Sequence, residues 1–355
     1  MLQNHIGELQ IKPKKRNLGD MQDLPLKGRL AITFSIYGSV IFIILACTIN
    51  QLPLSENTLL IVDIISGLLV LFCIYTFVSK SRYYKYEHIH QQKNYYKWGN
   101  VKPTTQKQLE ALQLIAFSRY KYKGWTDTLE SRPVEVRVKH IPDFRKKLDW
   151  FKIRTQEEEI LDWIDSWGLT SRKKYEEHYN NLINGSHTPE FLLNYNKYPN
   201  WKERLIELTE LPEDYFNACF ENDGSKPKKL IWAWDLWRAI MLSTAAFECG
   251  FIAEDEAWER IYRVSDICHY LFDDLDDFHN NMRLGHAYWC NNQKQAFERK
   301  NDVNAFVNAK IGERRLVNDV AWTKIDKAEL TENMKDDFAS HIDEIENKPT
   351  KIGFN

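Results

Sequence analysis

Two long apolar runs near the start of the chain constrain its fold more than any other feature. Residues 30–50 (LAITFSIYGSVIFIILACTIN) carry no charge, and residues 59–78 (LLIVDIISGLLVLFCIYTFV) carry one, Asp63. At 1.5 Å per residue each run is long enough to cross a hydrocarbon layer of ~30 Å. A helix that is apolar on every side has no face to turn to water, so it belongs in lipid or in a large core. Two such runs in succession predict a transmembrane helical hairpin.

The flanks give the hairpin a direction. Lys12, Lys14, Lys15, Arg16, Lys27 and Arg29 precede it, and Lys80, Arg82, Lys85, Lys93 and Lys97 follow it. The loop at 51–58 has no Lys or Arg and carries Glu56. Basic flanks stay on the cytoplasmic side, so both termini are expected there, in a bacterial inner membrane. Tyr83, Tyr84, Tyr86, Tyr95, Tyr96 and Trp98 lie among the second basic group and suit the headgroup layer; the bilayer itself is thus the first expected partner. A cleaved signal peptide would have a shorter apolar core and no second span. Residues 44–47 (ILAC) match a lipoprotein box only loosely, because Leu45 fits it poorly. Asp63 falls within one turn of the outer end, within reach of interfacial water, and Ala31, Ser35 and Ser39 form a small-residue stripe suited to helix packing. No row of polar residues lines a pore, so the hairpin reads as an anchor.

The rest of the chain divides into a basic leader (1–29), the spans (30–80), a basic and aromatic connector (81–103), a soluble domain (104–325) and a charged tail (326–355). The chain as a whole is 43% apolar and 28% charged, and all twelve Trp lie outside the spans, so that domain can bury a sizeable core. The net charge of −2 points to no partner class, and no basic stripe away from the connector invites nucleic acid. Cys47, Cys73, Cys219, Cys249, Cys268 and Cys290 contain no CxxC pair, as expected of reduced thiols in a reducing compartment.

Helical signals dominate after Pro103. Thr104 or Thr105 starts a helix with Leu109, Leu112 and Ala116 on one face. Thr155 and Glu158 form a capping-box pattern before Ile160, Leu161, Ile164 and Trp167, and Gly168 is a stop. Further helices are expected at 171–184, from Thr188-Pro189 onward, at 254–272, 274–291 and 302–316, with a solvated helix in the tail at 323–347. Residues 230–249 (LIWAWDLWRAIMLSTAAFEC) form the longest apolar soluble run and predict the central buried helix. Residues 134–138 (VEVRV) alternate and predict one short strand. The fold class is all-α: an N-terminal transmembrane helical hairpin followed by a multi-helix cytoplasmic domain.

Four stretches carry a family resemblance: 161–182 (LDWIDSWGLTSRKKYEEHYNNL), 234–238 (WDLWR), 250–258 (GFIAEDEAW) and 285–289 (GHAYW). Together they resemble the bacterial domain of unknown function 1266 family (YbeU/YbeR-like), over roughly 105–322. Two positions depart from the pattern: His286 stands where the family often carries Arg, and 275–278 reads LDDF in place of a Ser-Trp-Glu type segment. The resemblance implies a helical domain and no particular reaction. It fits accessory bacterial proteins, some near toxin-delivery systems.

Candidate chemistry is sparse. Asp235 and Arg238 share a helix face at i, i+3 inside an aromatic run, as a structural pair or a ligand-binding one. Asp273, Asp274, Asp276, Asp277 and His279 are the densest acidic cluster. Asp274 suits a helix cap, and Asp276 with His279 lacks the second Glu-x-x-His that a helical di-metal site needs. Glu254, Asp255, Glu256 and Glu259 could extend an acidic docking surface. His140, His178, His187, His269 and His286 show no partner spacing, and there is no nucleophile elbow, phosphate loop or HExxH. No cofactor or metal is expected. The reading that follows is a membrane-anchored protein-binding module, most concretely an immunity protein that neutralises an interbacterial toxin. The alternatives are a membrane-tethered adaptor and an enzyme acting on a lipid-linked or nucleotide substrate.

Overall fold

The computed structural model describes residues 26–309 and 320–330, apart from 54, 103, 123, 150, 199 and 222–225. The basic leader before residue 26, the end of the helix expected at 302–316 and the tail beyond 330 lie outside the described residues. Among those described, regular structure is helical, with one isolated bridge between Val134 and Arg154. The chain forms two units. One holds 103–136 and 154–330, and the other holds 26–102 with 137–153.

In the second of these units, α1 (Leu26–Ile49) and α2 (Glu56–Trp98) form the hairpin. Both are long and apolar enough to cross a membrane, over Leu30–Ile49 and Glu56–Tyr83. Only 17% and 6% of the two apolar windows are buried, where a soluble core helix would be mostly buried, so these side chains are left for lipid. Ile32, Ser35, Gly38 and Cys73 are the buried members, and a Cβ on Gly38 would lie 3.3 Å from Cys73 Sγ. The close approach of the two helices is therefore at Gly38, which is not a member of the expected Ala31, Ser35 and Ser39 stripe; of those three only Ser35 is buried. The Ser35 hydroxyl donates to Ala31 O at 2.8 Å and Ser39 to Ser35 O at 2.8 Å, so neither needs water. Asp63 accepts from Asn50 Nδ2 at 2.8 Å, which ties the two outer ends together.

Helix α2 has 43 residues and is therefore roughly 64 Å long, about twice the ~30 Å of a hydrocarbon core. The expected connector is thus a helical extension of the second span. Tyr95 is fully buried on it, edge-on to Phe151 at 6.4 Å, and Gln91 Nε2 donates to Asp149 Oδ1 at 2.6 Å. The segment 137–153, with the short α5 (Phe144–Lys147), packs here.

The larger unit is built around α11 (Trp232–Glu248), of which every residue except Arg238 and Met241 is buried. It packs against α7 (Arg172–Ile183), α12 (Glu254–Leu271) and α13 (Leu275–Cys290), with α3 (Gln106–Lys121) and α6 (Gln156–Trp167) completing its surround. Helices α8 (Thr188–Lys197), α9 (Trp201–Thr209), α10 (Glu213–Ala218) and α14 (Gln293–Val307) fill the periphery. The expected caps form: Thr105 with Gln108 and Thr155 with Glu158 make capping boxes, Ser171 caps α7, and Asp274 accepts from Asp277 N at 2.8 Å. Gly168 ends α6 at φ +63°, a left-handed conformation that glycine adopts without a Cβ penalty.

Three expectations are corrected. The tail helix expected from 323 does not begin there: the described part, 323–330, holds a 3-10 turn at Lys327–Glu329 and no α-helix. The alternating VEVRV segment forms one helical turn, α4 (Glu135–Val138), and only Val134 makes a bridge. Four residues with two apolar and two polar side chains satisfy one turn as well as one strand, and no neighbouring strand pairs with them here. The helix expected to start at 302 begins at Gln293, because Asn292 accepts from Gln295 N at 3.0 Å and caps it nine residues earlier.

Candidate functional site

Trp234, Trp237 and Arg238 fall at i, i+3 and i+4 on α11, and this spacing stacks them on one side of the helix. The two indoles stack at 5.3 Å between centroids, with planes 21° apart. The Arg238 guanidinium sits 5.2 Å from the Trp234 ring centre and 4.4 Å from that of Trp167, the last residue of α6. Both rings present their negative faces to the cation. On the other side Trp237 stacks on Phe117 of α3 at 5.7 Å, and Arg299 of α14 lies 5.2 Å from Trp237 and 5.6 Å from Phe117. The result is a ladder in which aromatic rings and guanidinium groups from four helices meet.

Helix α13 closes the ladder from above. A Cβ on Gly285 would lie 2.3 Å from Trp234 Cβ, so the two helices touch where only glycine fits. That contact brings His286 edge-on to Trp234 at 5.3 Å and sets Trp289, one turn on, at 5.8 Å from it. Trp289 is 55% exposed, while Trp234 is 4% exposed. An exposed indole therefore continues a buried stack to the surface.

Asp235 points to a different partner. Fully buried, it accepts from His187 N at 3.0 Å, Thr188 N at 3.3 Å and Thr188 Oγ1 at 3.1 Å. Its carboxylate supplies the acceptors for the first N–H groups of α8, whose own preceding residue makes no side-chain cap. His187 Nδ1 lies 2.9 Å from Asp235 Oδ1, and its Nε2 lies 3.3 Å from Arg238 Nη1. Arg238 Nη1 lies nearer still to His187 Nδ1, at 3.0 Å, so the guanidinium sits against the same ring edge that faces Asp235. Arg238 and Asp235 are thus linked through His187; their direct approach is 3.9 Å. Burial lowers the Arg238 pKa from its ordinary value, and the Asp235 charge opposes that shift.

The remaining sequence candidates separate. Asp273 meets Lys226 at 3.1 Å and Lys229 at 3.3 Å, and Asp277 meets Lys229 at 2.6 Å. Partial burial works against the Asp273 charge, but Lys226 and Lys229 hold its carboxyl down to about 2. Asp274 is the cap described above, and Asp276 is exposed. Glu256 pairs with Arg172 at 2.8 Å, in the first turn of α12 together with Glu254 and Asp255, while Glu259 is exposed one turn on. The 18 residues of α12 place these acids roughly 27 Å from the Asp273 group. The structure therefore divides the acidic residues between two patches, each with basic partners.

His279 lies in the core, 1% exposed, edge-on to Phe117 at 5.5 Å. Burial, with Arg283 adding, pushes its pKa down to about 4. His286 is pushed down to about 3 by burial, with the charges of Arg299 and Lys121 adding. Of the sequence candidates, only Asp235, Arg238 and His286 join the ladder.

Sequence reasoning missed a second buried polar group. Glu159 is fully buried between Arg132 at 3.3 Å and Arg154 at 3.2 Å. Burial, with the Glu248 charge adding, pushes its carboxyl up to about 7 against those two arginines. Glu248 accepts from Ser131 N at 2.7 Å, and Arg119 donates to Thr128 O and Leu129 O at 2.6 Å each. This group holds the loop after α3 in place. Arg119 and Glu248 direct their polar atoms to that loop, which marks the group as structural. Also missed were Arg299, Trp237, Lys121 and His187. Of these only His187 had a signal, as the residue before the Thr-Pro helix start. Among the described residues, no three His, Cys, Asp or Glu side chains are placed to hold a metal ion.

Residues 164–322 match the model of a family described as "Protein of unknown function (DUF1266)". All the ladder residues except Phe117 lie within that match. The Trp167-Gly168 turn, the Trp234-Asp235-x-x-Arg238 element and the Gly285-x-x-x-Trp289 element, which carried the resemblance, meet in this one cluster. The chain is also similar to "Inner membrane protein YnjI" of Escherichia coli (strain K12), 31% identical over 211 residues that make up 56% of this chain. The similarity spans 58% of that relative's length. No solved structure matches the chain.

Proposed function

We propose that the chain is a membrane-anchored protein-binding module of the bacterial inner membrane. The α1–α2 hairpin anchors it, and both termini and the helical domain face the cytoplasm. The basic flanks support that orientation, and the inner-membrane relative supports the compartment. Most concretely, it acts as an immunity protein that neutralises an interbacterial toxin by direct contact.

The observation that carries the binding reading is the exposed Trp289 resting on the buried Trp234–Arg238–Trp167 stack. Trp and Arg on a rigid, desolvated base are the residues that supply most of the energy at protein interfaces. This base is fixed by the central helix, so little ordering cost is left for binding. The charge-compensated acidic patches have less to offer a partner, because their carboxylates already have basic neighbours.

The test is co-expression of the full-length protein with toxins encoded beside it, scored by growth and by co-purification. Rescue and a complex are expected with the native chain, and Trp289→Ala is expected to weaken both. No rescue and no complex with any neighbour's product would overturn the immunity role. A complex indifferent to Trp289→Ala would move the binding face elsewhere.

A further inference from the structure

The ladder carries donors that the protein itself does not answer. Arg299 has ring contacts with Phe117 and Trp237, and among the described residues it has no hydrogen-bond acceptor and no carboxylate within ion-pair distance. The nearby Asp302 is taken up by Lys121 at 2.7 Å. The indole Nε1 atoms of Trp234 and Trp237 are buried and have no hydrogen-bond partner among the described residues; the two side chains are 4% and 8% exposed. A buried N–H without an acceptor costs ~1–3 kcal/mol, so two in one stack beside an unanswered guanidinium ask for an explanation.

The charges acting on His286 share one sign, while Asp302 acts on Arg299 with the opposite one. Arg299 and Lys121 act on His286 with the same sign, and both disfavour its protonation. His286 is 6% exposed, and among the described residues its Nδ1 has the Cys290 sulfur, at 3.9 Å, as its hydrogen-bond neighbour. Arginine on an aromatic platform presents a planar fork of donors that matches carboxylate and phosphate oxygens.

We infer that the Arg299 end of the ladder binds the carboxylate or phosphoryl group of a ligand whose flat apolar part lies on the exposed Trp289. Arg299 supplies the charge-assisted contact. Trp289 adds stacking area, which favours an aromatic anion over a bare one. The inference rests on the reading of this cluster as a binding face and names the chemical group that the face selects.

The experiment is calorimetric titration of the full-length protein in detergent with phenyl phosphate, benzoate and inorganic phosphate at matched ionic strength. Saturable binding of phenyl phosphate or benzoate is expected, and the stronger of the two identifies the oxyanion. Arg299→Gln should weaken it by about tenfold or more, and Arg299→Lys should recover part of the loss. Trp289→Ala should weaken the aromatic probes more than inorganic phosphate. Because Trp289 is exposed, that variant tests the site even if Arg299→Gln fails to fold, and melting temperatures report folding in each case. No saturable heat from any probe, or equal affinity in the native chain and both variants, would overturn the inference. Should a protein partner still bind through Trp289 while no anion does, this inference falls and the binding module stands. Should anions bind while no protein complex forms, the reverse holds.

Discussion

Replacing Gly285 with alanine sets two small effects of opposite sign against each other. Alanine is the better helix former by about 1 kcal/mol in a helix interior. Its Cβ, however, would lie 2.3 Å from Trp234 Cβ, 2.9 Å from Trp234 Cγ and 3.3 Å from Ile231 Cβ. Carbon atoms in contact rest about 3.5–4.0 Å apart, so α13 must back away from α11 by more than ~1 Å. The first two atoms belong to the stem of a buried indole and cannot swing aside. That movement would strain the Asn281 bridge, in which Ala233 N donates to Oδ1 at 3.0 Å and Nδ2 donates to Leu230 O at 2.8 Å. Overpacking of this kind costs about 1–3 kcal/mol, and each weakened buried hydrogen bond about 1 kcal/mol more. The net expectation is a loss of about 2–3 kcal/mol. Urea unfolding of the full chain in detergent, followed by tryptophan emission, measures it as a lower midpoint at unchanged slope. All twelve Trp lie outside residues 30–80, so the signal reports on the rest of the chain. Gly67→Ala is the control, because nothing lies within 4 Å of a Cβ built there. A midpoint for Gly285→Ala equal to or above that of the native chain would refute the close approach and the ladder built upon it.

Asp235→Ala removes the acceptor for three donors at the start of α8 and the anchor of His187; a loss of about 3 kcal/mol is expected in the same urea assay, with Asp235→Asn costing less. Burial holds the His279 ring uncharged down to about 4 against an ordinary 6.5, so between those values the unfolded chain takes up a proton that the folded chain refuses. Its contribution is therefore present above pH 6.5 and is lost as pH falls toward 4, on the order of 3 kcal/mol in all; His279→Leu should flatten that part of a stability–pH profile, and an unchanged profile would contradict the burial argument. For topology, a membrane-impermeant maleimide should label Gln51→Cys in spheroplasts of a Cys47→Ser background, and Tyr122→Cys only after lysis; the opposite pattern would invert the orientation.

The parts of the fold that were legible in the sequence are those whose signal is local. An apolar run of this length without a polar face belongs in lipid unless a large core covers it, and two in succession point to lipid, which is why the two spans could be read directly. Capping by Thr105, Thr155, Ser171 and Asp274 depends on residues three positions apart, and each cap formed as spaced. The 134–138 segment failed for the complementary reason: five alternating residues become a strand only if another strand pairs with them. The start of α14 was misplaced because Asn292 reads equally well as a turn or as a cap.

The candidate site was half visible. Asp235 and Arg238 stood out as charges in an apolar run, yet spacing suggested that they pair with each other. In the fold His187 stands between them, and Asp235 caps a helix that begins 47 residues upstream of it, at Thr188. Arg299 has no signal in the sequence, because nothing around it distinguishes it from a solvated arginine. It gains meaning only when α14 lays it over Phe117 and Trp237. By itself the sequence determined the membrane hairpin, the helical class and most helix starts, since these follow from composition and spacing within a few turns. The tertiary structure alone decided which Trp is buried and which exposed, that the acids split into two compensated patches, and that three distant motifs meet in one ladder. Those outcomes depend on how closely helices approach, and at Gly285 that distance is set by a single missing methyl group.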